Sequence, residues 1–185
     1  WCADMYPACK VSFDSWASAP YAFAVQDNTE VVAYSGLRQS GKRIAIDGVF
    51  FRYASGAARL WKSLLAQWSA SSFAPSLVVI DRDHTAPRWP GITYVDAPQY
   101  DYAQMAYDRA LMQSICERED IGLFISTYYT IPLTTPSVLM VLDMIPEVMG
   151  FDLNELQWVC KRLAIEYAQA FVSISHSSER DLVRL

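Results

Sequence analysis

The stretch "RIAIDGVFFRYASGAARLWKSLLAQWSASSFAPSLVVID", residues 43–81, decides the fold. It opens on the short apolar run "RIAIDGVFF", which reads as a buried strand, and passes through a turn with a single glycine before a helix. Within residues 56–71, Leu60, Trp61, Leu64, Leu65 and Trp68 recur at the spacing of one helical face. The stretch closes on "SLVVID", 76–81, a second continuous apolar strand. Strands that are apolar without alternation are buried on both faces, and a helix between two of them is the crossover of a parallel pair.

The same rhythm continues downstream. "ITYV" (92–95) reads as a short strand, "AQMAYDRALMQSICER" (103–118) as a helix, and "IGLFIS" (121–126) and "SVLMVLD" (137–143) as strands. "LNELQWVCKRLAIEYAQA" (153–170) stacks Leu156, Cys160, Leu163 and Tyr167 on a helix, and "FVSIS" (171–175) is the closing strand. Ser178 and Asp181 have capping-box spacing for a last helix. The expected fold is therefore α/β, a Rossmann-like open, mostly parallel sheet with helices on both faces, over residues 43–185. Upstream, residues 1–42 carry one strand candidate, "EVVAYS" (30–35), and read either as the tail of a preceding domain or as an extra hairpin.

A length of 185 residues suits one well-buried domain, and 52% hydrophobic with 19% charged residues is the composition of a globular chain. The formal charge of −5, with no Lys/Arg cluster, argues against a nucleic-acid partner. No apolar run is long enough to span a bilayer. Cys2, Cys9, Cys116 and Cys160 show no Cys-x-x-Cys spacing and read as free thiols of a cytoplasmic protein, with Cys116 and Cys160 inside helices. The absence of an initiator Met, and an end at Leu185 inside a helix, are what a piece of a longer chain would show.

In an open parallel sheet the ligand lies beyond the carboxyl ends of the strands, so the residues just after each strand are the site candidates. After the first strand, Ser55, Gly56, Ala57 and Arg59 open a helix. Its unpaired N–H groups, the glycine and a forked cation could hold a diphosphate, or the segment is only a turn. After the second strand, "DRDH" sets Asp81, Asp83 and His84 together, the pattern of a divalent-metal site or of a solvated loop. The segment "STYYTIPLTTP" (126–136) offers Tyr128 and Tyr129 for stacking on a sugar or covering an apolar chain. Asp143 and Glu147 follow the next strand, where a carboxylate can accept from a substrate hydroxyl or act as general base. Ser175 and His176 end "SISHSSE", His176 as a donor to phosphate or hydroxyl or as a helix cap. No nucleophile elbow is present, so covalent catalysis has no support.

Three segments in order, "IAIDGVFF" with "SGAARLW", "DIGLFISTYYTIPLTTPSVLMVLDMIPE" and "AIEYAQAFVSISHSSERDLVRL", resemble the amino-terminal half of family 4 retaining glycosyltransferases. These are enzymes of two Rossmann-like domains facing across a cleft, the GT-B arrangement. The resemblance runs from about Arg43 to Leu185. It implies a nucleotide-sugar donor whose diphosphate meets the loop of Ser55, Gly56, Ala57 and Arg59. It also implies a glycan or glycoconjugate acceptor met by Tyr128, Tyr129, Thr130, Glu147, Ser175 and His176, and a catalytic role for Asp143. It implies neither metal nor cofactor, and a location in the cytoplasm or at the inner face of a membrane. The chain departs from the family at Leu142, where many members hold a histidine that touches the donor sugar. The donor-binding domain of such an enzyme lies outside these residues, so this chain alone is expected not to transfer sugar. Two alternatives stand beside this reading: a non-catalytic Rossmann-like module binding a sugar or a partner, and a metal-dependent transferase working through Asp81 and Asp83.

Overall fold

The computed structural model describes residues 42–184 and, upstream, the backbone of Gln26–Asp27 and Glu30–Val31, which pair as two antiparallel two-residue strands. The remainder of the expected strand at 30–35 lies outside the described residues. Six strands form one parallel sheet: β1 (Arg43–Asp47), β2 (Leu77–Arg82), β3 (Thr93–Ala97), β4 (Ile121–Ser126), β5 (Ser137–Val141) and β6 (Ala170–Ser173). Their order across the sheet is β3-β2-β1-β4-β5-β6. This is the doubly wound, Rossmann-like arrangement the apolar rhythm predicts. The chain works outward from β1 to β3, returns across the sheet, and works outward again from β4 to β6, so the order reverses between β1 and β4.

The helices are α1 (Gly56–Ser69), α2 (Met105–Arg118), the single turn α3 (Ile145–Val148), α4 (Leu156–Tyr167) and α5 (His176–Arg184). Because side chains alternate along a strand, each strand serves both layers. Ile44, Ile46, Leu77 and Val79 face α1, where Trp61, Leu64 and Leu65 complete one core. Ala45, Val78, Ile80 and Phe124 face Met112, Ile115 and Cys116 of α2. On that second face, Leu139 and Val141 meet Ala164 and Ala168 at the end of α4. The links 83–92 and 127–136 carry no helix.

Several element ends differ from the sequence reading, and two of these bear on the site. The first strand stops at Asp47, and "VFFR" winds into a 3-10 turn, Val49–Arg52. The Gly48 N–H on the Ile80 carbonyl and the Thr127 N–H on the Asp47 carbonyl are the last rungs of the ladder; beyond them Thr127 Oγ1 accepts from the Phe50 N–H at 3.0 Å and the Phe51 N–H turns back to the Gly48 carbonyl. With those pairings made, the apolar run cannot continue as a strand. The last helix begins at His176 and is capped by Ser175, whose Oγ accepts from the Ser178 N–H at 3.1 Å; Ser178 itself is inside the helix.

Candidate functional site

The switch point between β1 and β4 is built on a buried ionic node. Arg82, at the end of β2 and 2% exposed, forks onto Asp47 at the end of β1, with Nε to Oδ1 and Nη2 to Oδ2 both at 2.7 Å. Its other edge meets Asp108 of α2, Nη1 to Oδ1 at 2.5 Å and Nη2 to Oδ2 at 3.0 Å. Thr130 donates from Oγ1 to Asp47 Oδ2, and Ser126 Oγ lies 2.6 Å from that same hydroxyl. Asp47 and Asp108 are 0% and 5% exposed, so two carboxylates share one guanidinium in a low-dielectric interior. Burial pushes the Asp108 carboxyl up, partly offset by Arg82. For Arg82, burial would lower the pKa, but the two carboxylates outweigh it and hold the guanidinium charged. The node ties β1, β2, α2 and the 127–130 loop together at the point where a ligand would be met.

Above it lies an open cleft of about 430 Å³. Its walls are Phe50 after β1, Gly56, Ala57 and Leu60 of α1, Tyr128 and Tyr129 after β4, Leu142 and Asp143 after β5, Trp158 of α4, and Ile174 after β6. The link after β1, the start of α1 and the loop after β4 thus converge with residues that follow the two outer strands. Tyr128 is stacked between Phe50 and Tyr129, with ring centroids at 4.4 Å and 3.9 Å, so its faces are taken and its edge is what a ligand would meet. Burial pushes the phenols of Tyr102, Tyr128 and Tyr129 up, which keeps them hydroxyls. Among the described residues, Asp143 is the one carboxylate in the lining. Its Oδ1 accepts from the Ile145 N–H at 3.0 Å, while among the described residues nothing donates to Oδ2.

The structure distributes the predicted phosphate loop over two sites. Gly56 and Ala57 line the aromatic cleft, whereas Ser55 and Arg59 line a separate open groove of about 470 Å³ with Lys62 and Ser63. Ser55 is the N-cap of α1, its Oγ accepting from the Ala58 N–H at 3.1 Å. Tyr128, Tyr129 and Asp143 share the cleft, and Thr130 sits beneath it in the buried node. Glu147 pairs at 2.7 Å with Lys161, which also donates to the Asp143 carbonyl, so Glu147 braces the wall behind Asp143. Ser175 caps α5, and His176 is exposed, 3.4 Å from Glu179.

Asp81 and Asp83 do not converge. Asp81 is buried and accepts from the Ala86 N–H at 2.8 Å and from Arg88 at 2.7 Å, while Asp83 is exposed with φ of 53°. The group that does gather is Asp81, His84 and Asp96, with ligand-type atoms within 4.8 Å of one another. Arg88 lies 3.7 Å from Asp96 as well, and its guanidinium already supplies a cation to this cluster.

The sequence reading missed the node entirely, and with it Asp47, Arg82 and Asp108. It also passed over Phe50 and Trp158 as cleft walls. A signal for the node was available: Arg82 directly follows a buried strand, where a charged residue needs a partner. No family model, no curated protein and no solved structure matches the chain.

Proposed function

We propose that this chain is the acceptor-side half of a retaining, nucleotide-sugar-dependent glycosyltransferase. The observation that carries the reading is the aromatic cleft at the carboxyl ends of the strands, with Asp143 as the one carboxylate among its described lining residues and one of its oxygens left to accept. A hydroxylated ring is held in such a site by apolar walls and a few convergent polar atoms. Asp143 is well placed to accept the hydrogen of the acceptor hydroxyl. For retention, the bond from the anomeric carbon to the diphosphate breaks first with its electron pair, the acceptor oxygen bonds to that carbon on the same face, and Asp143 takes the proton. The diphosphate departs outward from the mouth of the cleft toward a second domain that supplies its positive charge, since Arg59 and Lys62 line a separate groove on the other side of the start of α1. The remaining donor contacts belong to a second domain, and the reading requires no metal.

The test is release of nucleotide and transfer of labelled sugar across a donor panel by the polypeptide that continues this chain. Asp143→Asn is expected to lower kcat by about 10²- to 10⁴-fold. Should no donor release nucleotide while glycans still bind the cleft, the protein is a sugar-binding module without catalysis.

A further inference from the structure

The lining of the cleft also limits what it accepts. Among the described residues that form it there is no Lys, Arg or His; the one carboxylate there is that of Asp143, and Glu147 behind it is paired with Lys161. A phosphate or carboxylate placed there would lose water and meet only aromatic and aliphatic walls and a like charge, which is costly. The basic side chains near the start of α1 face the other groove.

The apolar lining does not end at the rim. Trp158 packs edge-to-face on Phe151, with centroids 6.1 Å apart. Phe151 belongs to a run of exposed apolar side chains that includes Ile145, Val148, Met149, Leu153 and Leu156, with Met149 69% exposed. Between Met144 and Cys160 the sequence carries Glu147, Asp152 and Glu155 and no basic residue. Ile174, also in the lining, is 43% exposed. A polar pocket for a plain sugar needs none of this surface, and exposed apolar side chains gathered in one segment beside a cleft mark a binding surface.

We infer that the cleft takes an uncharged, hydroxylated ligand bearing an alkyl or aryl group, with the ring against Asp143 and the apolar group running past Trp158 onto residues 145–156. The identification of this ligand as the acceptor rests on the function proposed above; the binding preference does not.

The probes are methyl, butyl, hexyl and phenyl glucosides below their micelle concentrations, with glucuronate and glucose 6-phosphate as charged counterparts, titrated into the 185-residue chain by calorimetry. Affinity is expected to rise by about fourfold for each methylene that reaches the surface, then level off as the apolar run is used up. The charged sugars are expected not to bind. Val148→Ser and Met149→Ser change exposed residues outside the cleft lining and leave the fold intact by circular dichroism; they should weaken the hexyl glucoside several-fold and leave the methyl glucoside unchanged. Affinity indifferent to chain length, or charged sugars binding as well as neutral ones, would overturn the inference. The two proposals fail separately. Transfer to a hydrophilic, charged acceptor would remove this one and keep the transferase, whereas alkyl-glucoside binding with no nucleotide release would do the reverse.

Discussion

A Cβ placed on Gly48 would lie 2.6 Å from Cδ2 of Phe51 and 2.9 Å from the carbonyl oxygen of Ile80, whereas one on Gly56 would meet nothing within 4 Å. The sequence draws the eye to Gly56, at a helix start, as the glycine that lets a phosphate approach. The close approach occurs instead at Gly48, and it is protein against protein, the turn after β1 pressed on β2. Gly48→Ala should cost about 1–3 kcal/mol in thermal or urea unfolding, because Phe51 is buried and the Ile80 carbonyl is fixed in the sheet. Gly56→Ala should be neutral or stabilising by up to about 1 kcal/mol, since it removes unfolded-state freedom at no steric cost. Equal losses from both would refute the distinction. The node beside Gly48 gives a second pair of expectations. Arg82→Met strands two buried carboxylates and should destabilise by about 3–5 kcal/mol. Asp108→Asn removes a carboxyl that burial holds above its ordinary value of 3.8. A carboxyl raised in the folded state binds its proton more tightly there than in the unfolded chain. Its stabilising contribution is therefore complete below the unfolded value and is lost as pH rises through the folded one. Stability of Asp108→Asn, followed by urea midpoints from about pH 4 upward, should fall less with pH than that of the parent; an unchanged profile would mean that Asp108 does not titrate with folding.

Elements whose faces repeat were legible, and those fixed by a distant partner were not. The apolar face of α1 is a property of its own residues, and so were the continuous strands β1, β2, β4 and β5. The 3-10 turn Val49–Arg52 depends on Thr127 and Ile80, far along the chain, so "GVFF" looks like more strand. Along α2 the buried face includes Asp108, and along α4 it includes Lys161, two charged residues that interrupt the periodicity because each answers a charge elsewhere, Arg82 and Glu147. The candidate site was legible as a set of strand-end loops. Which side of α1 each loop residue faces was not, since that is set by how the helix is rotated against the sheet. The capping spacing in the sequence points to Ser178 rather than to Ser55, the observed cap of α1; Ser55→Ala should lower stability by about 1 kcal/mol while Ser55→Asp should not, measured by chemical unfolding. The thiols in the two helices follow the same logic. Burial pushes Cys116 up to about 11 and raises Cys160 as well, so both stay protonated at pH 8. Peptide mapping after iodoacetamide treatment of the native protein should find both unlabelled, and labelling of either would place it outside the core.

At the scale of the whole molecule, the carboxyl-end rim brings together the cleft, its acidic edge and the apolar run from Ile145 to Leu156. An apolar surface facing water associates with whatever apolar surface it meets, and at high concentration that is another copy of the same chain. The acidic residues in the run, Glu147, Asp152 and Glu155, oppose this, as does the formal net charge of −5. Salt screens such repulsion over about 10 Å at 0.1 M and leaves apolar burial in place. Sedimentation velocity should therefore show reversible self-association that grows with protein concentration and with added NaCl. It should be abolished by the double change Met149→Ser, Phe151→Ser, and reversed by hexyl glucoside below its micelle concentration, because ligand and copy compete for one surface. A monomer at every concentration and salt would show that the apolar run does not pair with a second copy, since salt would have screened the acidic rim. Association that weakens with salt would place it on charged surfaces instead, away from residues 145–156.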